Sequence, residues 1–307
     1  MFVVNYRKIW FALSALLIAG SLFAVFTYGF NTSIDFKGGS ITEVRYDGAR
    51  PSKESVEEGI TKLGVGGFSV RPSGEDKYII RTKILIPEEI EKLKGALGES
   101  NKNFVIEREN TVGPLAGAEL KSKAVKAIVV VIIMIVLFIT FAFRKVSSAA
   151  DRAKGLPASW KYGLATIIAL AHDVVIPTGI FVWLGHVAGV EIDLLFVTGL
   201  LAILGYSVHD TIVVFDRVRE NLLLNHNNNS KEEFETTVGK SVSQTFGRSI
   251  NTSLTIFITL LALYFFGPAA TKHFALLLTI GIVVGTYSSI FVASPLLVTF
   301  YKLQRKK

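Results

Sequence analysis

The chain is 307 residues long, half of them hydrophobic and 19% charged, which is too apolar for an ordinary soluble protein of this length. It has no cysteine, and that excludes thiol catalysis, disulfide frameworks and Cys-based metal or iron–sulfur sites. The 33 Lys and Arg against 25 Asp and Glu give a formal charge of +8. These basic residues cluster beside hydrophobic runs, where topology and lipid headgroups explain them better than nucleic acid does.

Ile9 to Phe30 is the first of six stretches long and apolar enough to cross a bilayer, which takes about 20 helical residues. Arg7 and Lys8 precede it as in a signal peptide. Its apolar run exceeds a usual signal core and no small-x-small cleavage site follows, so an uncut anchor is expected.

The next segment alternates strand and helix signals. Ile41 to Asp47 reads as a strand, and Ser52 to Leu63 as a helix with Val56, Ile60 and Leu63 on one face. Gly67 to Arg71 and Lys77 to Lys83 form a hairpin around the turn-rich Pro72, Ser73, Gly74, Glu75 and Asp76. A second helix starts at Pro87, with Glu88 and Glu89 at its positive dipole end, Ile90, Leu93 and Leu97 on its buried face, and Gly98 as the expected C-terminal cap. Asn103 to Glu109 is the last strand. The order β-α-β-β-α-β predicts a ferredoxin-like α+β domain, a four-stranded antiparallel sheet with both helices on one face.

Five further spans follow, at Ala124 to Phe143, Tyr162 to Leu184, Leu194 to Phe215, Ser241 to Phe266 and Phe274 to Phe300. Lys and Arg near membrane ends stay in the cytoplasm. Arg144, Lys145, Arg152, Lys154 and Lys161 mark the connection between spans 2 and 3 as cytoplasmic; Arg217, Arg219, Lys231 and Lys240 mark that between spans 4 and 5. The turn Gly185 to Asp193 has no Lys or Arg, and Gly267 to His273 has only Lys272. With Lys302, Arg305, Lys306 and Lys307 at the end, both termini are expected inside. The organisation is then a tail and first helix (1–30), an extracytoplasmic ferredoxin-like domain (31–123), and transmembrane helices 2–6 with cytoplasmic loops (124–307).

A charge at the bilayer centre costs about 2.5 to 3.5 kcal/mol on insertion scales, so each one inside a span is a functional candidate. His172 and Asp173 lie about 18 Å along the third span from its cytoplasmic end. His209 and Asp210 lie in the fourth. Arg248 in the fifth sits about as deep as Asp210, roughly 10 Å, so the two are expected to meet across antiparallel neighbours as a buried ion pair. Two readings of that pair stand: a static polar clamp between two spans, or a proton site, since desolvation and a nearby cation act on a carboxylate's proton affinity in opposite senses and can poise it for exchange. Asp173 and His172 divide the same way between a proton-path role and simple satisfaction of neighbouring polar groups. Asn251, Thr252 and Ser253 either join the Asp210 network or act as interhelical glue. Gly281, Gly285, Ser289 and Ala293 recur every four residues as a smooth face, for this bundle or for a partner's helix. Pro177 is expected to kink the third span.

Gly239, Lys240 and Ser241 imitate the end of a Walker A motif, but Phe234 stands where its first Gly is required, so ATP hydrolysis is not supported. There is no Ser/His/Asp arrangement, His-rich metal spacing or dinucleotide-binding loop either. The reading is therefore of a non-enzyme without cofactor or metal, whose available energy is an ion gradient.

The stretch Ile34-Asp35-Phe36-Lys37-Gly38-Gly39-Ser40 resembles the Asp-Phe-Thr-Gly-Gly hallmark of the SecF family, with Lys37 in place of the usual Thr. Gly205-Tyr206-Ser207-Val208-His209-Asp210-Thr211-Ile212-Val213-Val214-Phe215-Asp216-Arg217-Val218-Arg219-Glu220-Asn221 is similar nearly throughout to that family's fourth-span signature. Ala171-His172-Asp173 and Arg248-Ser249-Ile250-Asn251-Thr252-Ser253 add to it, and the likeness covers essentially the whole chain. It implies a multi-pass subunit of the bacterial inner membrane that works with SecD beside the SecYEG channel, and with YajC, using the proton motive force to complete export of a translocating polypeptide. It also implies a half of the resistance-nodulation-division kind, with Asp210 as proton-pathway carboxylate and Arg248 as its basic partner. His209 stands where the family more often has Asn, and serves either as a titrating relay or as a hydrogen-bonding substitute. The domain 31–123 is expected to touch the emerging chain through its open sheet face or an edge strand, or to dock on SecD. A self-contained proton-coupled exporter of small molecules or lipids is the alternative, disfavoured because six spans are half the usual unit. A purely structural translocon subunit is the other.

Overall fold

The computed structural model describes residues 2–48, 50–64, 67–100, 103–142, 159–230 and 232–305. Arg144, Lys145, Arg152, Lys154, Lys231, Lys306 and Lys307, on which part of the orientation argument rests, lie outside them, as does Phe143. The chain divides into two compact units: 2–31 with 126–305, and 32–125.

The first unit is helical. It contains α1 (Phe2–Asn5) and α2 (Arg7–Tyr28), and after the second unit it continues along α6 (Pro114–Ala142), α7 (Ser159–Ala188), α8 (Leu194–Asn227), α9 (Phe234–Phe266), α10 (Lys272–Ser288), a π-helical turn (Ser289–Ala293) and α11 (Ser294–Arg305). Among the described residues six helices are long and apolar enough to cross a membrane: α2, α6, α7, α8, α9 and the run Lys272–Leu303. The helices extend past the apolar stretches, as where α8 continues through the polar Asp216 to Asn227. Backbone hydrogen bonding carries a helix beyond the point where hydropathy falls. Pro177 lies inside the continuous helix α7.

Small residues let these helices approach closely. A Cβ added at Gly179 of α7 would lie 2.4 Å from the Ser21 Cα of α2, and one at Gly281 of α10 would lie 2.2 Å from Ile203 of α8. Gly285 meets Ser207 in the same way at 3.1 Å. The small-residue stripe of the last span is therefore spent within this chain, against α8. Ile139, Tyr162, Leu170, Leu204, Phe215, Phe234 and Leu297 form the buried core around it. At one end of the bundle Glu235 accepts from Arg7 (2.5 Å) and from Lys302, tying the starts of α2 and α9 to α11.

The second unit begins with a one-turn helix α3 (Ile34–Lys37), capped by the Ser33 hydroxyl accepting from the Asp35 N–H at 3.1 Å. Then come β1 (Gly39–Tyr46), α4 (Lys53–Lys62), β2 (Ser69–Ser73), β3 (Lys77–Thr82), α5 (Pro87–Ser100) and β4 (Phe104–Val112). The sheet is antiparallel in the order β2-β3-β1-β4, the split βαβ arrangement. Alternation along β1 and β3 sends Val44, Tyr46, Tyr78 and Ile80 to one face, where Val56 and Ile60 of α4 and Leu93 and Leu97 of α5 close the core. Pro72 belongs to β2 rather than to the turn, as an edge strand tolerates a residue with no N–H. Gly98 is not a cap: α5 continues to Ser100, and Gly98 lies inside it, where an added Cβ would come 3.4 Å from the Phe104 ring.

Candidate functional site

The glycine pair after α3 has a clear physical requirement. Gly38 and Gly39 adopt φ of 79° and 134°, conformations that L side chains rarely hold. Added Cβ atoms would meet the Pro114 Cα at 3.0 Å and the Thr82 carbonyl at 2.8 Å. A larger residue would be forced against the start of α6 at position 38 and against β3 at position 39. Asp35 and Phe36 lie on α3 just before the pair, and Gly117 of α6 would meet the Phe36 carbonyl carbon at 3.2 Å if it carried a Cβ.

The polar site lies inside the helical unit, on α8. Asp210 is 6% exposed, and its Oδ1 accepts from the Ser249 hydroxyl of α9 at 2.6 Å. Oδ2 is buried with no hydrogen-bond partner among the described residues. Ser253, one turn on, donates to the Ser249 carbonyl (2.7 Å) and its hydroxyl also meets the Tyr206 Oη (2.7 Å) and the Thr286 hydroxyl of α10 (2.6 Å). Asp210 is thus one end of a hydrogen-bonded chain that crosses three helices and passes through the Ser249 backbone carbonyl, so its hydroxyls are not continuous.

Arg248 is not in that chain. Among the described residues no ion pair joins it to Asp210, and its side chain is exposed. Equal depth along antiparallel helices puts the two residues at one height and leaves their rotation open. Each residue turns a helix by about 100°, so Ser249 faces Asp210 and Arg248 lies on the adjoining face. His209, Asn251 and Gly205 are exposed as well, and a Cβ at Gly205 would meet nothing within 4 Å. The result is an open face on α8 and α9 that bears an imidazole, a guanidinium and an amide within the spans.

His172 and Asp173 belong to a different cluster. Both are fully buried, and the Asp173 carboxylate engages the His172 Nδ1 (2.9 Å), the Ser207 hydroxyl of α8 and the Ser288 hydroxyl of α10 (2.7 Å). Ser249, Ser288 and Glu235 are absent from the sequence-derived candidates. A lone Ser in a span carries no signal beyond the i, i+4 spacing of Ser249 and Ser253, and Glu235 precedes the apolar run that marks its helix.

In the domain, the sheet face opposite the core is charged. Glu107 accepts from Arg45 (2.9 Å) and Lys77 (2.5 Å), and the hydrogen bond from Lys77, then its charge and Arg45, holds the carboxyl below the usual range. No cluster of metal-binding side chains occurs among the described residues.

Comparison with known proteins gives a consistent result. Residues 92–152 and 155–303 match the family described as "Protein export membrane protein SecD/SecF, C-terminal", and residues 23–49 match the "SecD/SecF GG Motif". The protein translocase subunit SecF of Thermobaculum terrenum is 40% identical over 97% of this chain and 93% of its own, and that of Calditerrivibrio nitroreducens is 34% identical over 97% and 93%. The crystal structure of SecDF, a translocon-associated membrane protein from Thermus thermophilus, superimposes with a TM-score of 0.82 at 32% identity, covering 97% of this chain. This chain spans 38% of that longer one. A second SecDF structure, in a super-membrane-facing form, matches with a TM-score of 0.67 over 99% of this chain and 39% of its own. With six helices able to cross a membrane, the paired glycines at the start of β1 and the carboxylate-bearing α8, the chain belongs to the SecF family of protein translocase subunits.

Proposed function

We propose that this multi-pass protein acts in the bacterial cytoplasmic membrane as half of a device driven by the proton motive force. It pairs with SecD beside SecYEG, and with YajC, to promote late steps of polypeptide export. Both termini lie in the cytoplasm and the domain 31–123 lies outside, the arrangement favoured by the Lys and Arg distribution.

The observation that carries this reading is Asp210: a buried carboxylate with one oxygen bonded to Ser249 and the other unpartnered, beside the open face of His209, Arg248 and Asn251. Lipid tails cannot solvate such a face, so a second polar protein surface or water must cover it. The longer SecDF chains, of which this one spans little over a third, support a SecD half as that surface. Proton transfer needs a group that can hold or lose a proton without unfolding its surroundings. When ionised, Asp210 attracts Arg248 across the short gap between α8 and α9; when protonated it keeps Ser249 and releases the cation. Alternation between these states would change how α8 and α9 lie against the partner.

The test is gradient-dependent translocation of a secretory protein into inner-membrane vesicles that contain SecD and either the parent chain or Asp210→Asn, with assembly quantified in parallel. Loss of the gradient-dependent part with assembly intact supports the reading. Unchanged translocation rejects it in favour of a structural subunit.

A further inference from the structure

The second buried acid, Asp173, does not touch Asp210, yet it grips the same stretch of α8. Its Oδ1 faces the His172 Nδ1 at 2.9 Å; its Oδ2 accepts from Ser207 of α8 and from Ser288 of α10, the latter at 2.7 Å. Ser207, Ser288 and Asp173 are all 0% exposed. One carboxylate therefore joins α7, α8 and α10 at a single point.

The π-helical turn continues that grip. Adjacent residues of an α-helix point about 100° apart, so Ser288 and Ser289 address different neighbours. Ser289 opens the π turn Ser289–Ala293, and its hydroxyl lies 2.8 Å from the Thr211 hydroxyl and 3.3 Å from the Ser207 carbonyl, both on α8. Thr211 also donates to the Ser207 carbonyl at 3.1 Å. The Ser289 carbonyl also accepts from the Ser294 hydroxyl at 3.1 Å. Residues 207 and 211 of α8 are thus held by side chain and backbone, and Asp210 lies between them.

We propose that Asp173 is a positioning residue for Asp210. Through Ser207, Ser288 and the π turn it sets the height and rotation of the 207–211 segment, and hence where the unpartnered Asp210 oxygen points. Both serine hydroxyls use it as an acceptor. An Asn there would turn an amide donor toward a hydroxyl or an imidazole, and the segment would settle elsewhere. Around Asp210 the titratable or charged groups are His209 on its own helix and Arg248 on α9; around Asp173 they are His172 on its own helix and Tyr287 on α10, whose ring stacks on His172 at 5.8 Å. The functional consequence rests on the proton-site reading above; the positional one does not.

The chain has no cysteine, so a single reporter can be placed at the exposed Ala202→Cys on α8. In the full chain purified in detergent, Asp173→Asn should change the thiol labelling rate of that reporter several-fold, up to about tenfold, the scale set by one charged hydrogen bond. In vesicles with SecD, Asp173→Asn should also displace the pH midpoint of gradient-driven translocation. Ser207→Ala and Ser288→Ala should act in the same direction and more weakly, whereas Thr166→Val, which removes a buried hydroxyl bonded only within α7, should leave both readouts alone. A loss of amplitude with unchanged labelling and unchanged midpoint would mean a merely structural role and overturns the proposal. If Asp173→Asn does not accumulate, the two serine variants decide: unchanged labelling in both overturns it. Tolerance of Asp210→Asn would sink the proton-site reading alone, since labelling does not depend on proton transfer.

Discussion

The Ser249 hydroxyl donates to Asp210 Oδ1 at 2.6 Å, and in doing so takes the place that depth alone assigned to Arg248. One residue of helix separates the two candidates. The consequence is that the carboxylate is held by a neutral donor, while the cation stands on the open face beside His209 and Asn251.

Ser249→Ala should therefore weaken function without abolishing it. It deletes one hydrogen bond to a buried carboxylate, a loss of about 1–3 kcal/mol, and leaves both oxygens of Asp210 unpartnered. The pH profile of gradient-driven translocation, compared with that of the parent chain, should be displaced, and Ser249→Thr should restore it. An unshifted profile in Ser249→Ala would show that this bond does not tune Asp210.

Substitutions at three glycines should separate packing from openness. Gly281→Val and Gly179→Val drive side chains into Ile203 and into the Ser21 backbone, and each should cost about 1–3 kcal/mol or more, read as a lower melting temperature in detergent. Gly205→Ala meets nothing within 4 Å among the described residues and should melt as the parent does. If Gly205→Ala still impairs export, the defect lies at whatever covers that face.

Tyr46 makes the domain sensitive to alkali. Its ring is buried under α4 and α5, its hydroxyl has no partner among the described residues, and burial, with a smaller contribution from Tyr78, pushes its pKa from 10.0 up to about 12. The folded state holds this proton more tightly than the unfolded one, so the contribution is constant below pH 10 and falls as pH rises toward about 12. Tyr46→Phe should flatten that fall and gain about 1 kcal/mol by removing an unsatisfied buried hydroxyl. Chemical unfolding of the full chain, followed by the β-sheet signal across that pH range, measures both effects.

Glu235 should act as a clamp at one end of the bundle. Glu235→Gln weakens its bonds to Arg7 and Lys302 together and should cost about 1–2 kcal/mol, discounted because Lys302 is about half exposed. Proteolysis at the N-terminus should quicken as α1 and the start of α2 loosen. Equal proteolysis rates in parent and variant would rule the clamp out.

Much of this architecture is legible in the residues because its causes are local. Span positions follow from runs of about 20 apolar residues, and the strand and helix order of 32–125 follows from period-2 and period-3.6 patterns over a few residues each. Errors arise where a local rule meets a long-range contact. Gly98 looks like a cap, but Phe104 leans on it and the helix runs on to Ser100. The stripe on the last span suits either a neighbour in the chain or one outside it, and only Ile203 and Ser207 lying against Gly281 and Gly285 decide between them.

By itself the sequence determined a six-span membrane protein with a split βαβ domain and acids at positions 173 and 210 deep within their helices, because hydropathy, periodicity and depth are properties of contiguous residues; the likeness to the SecF family came from its motifs instead. Only the tertiary structure decided that Asp210 meets Ser249 and not Arg248, and that Asp173 reaches across to α8 and α10. Those partners depend on helix rotation, which close packing at glycines and a π turn sets, and a one-residue change in facing exchanges a buried hydroxyl for an exposed cation.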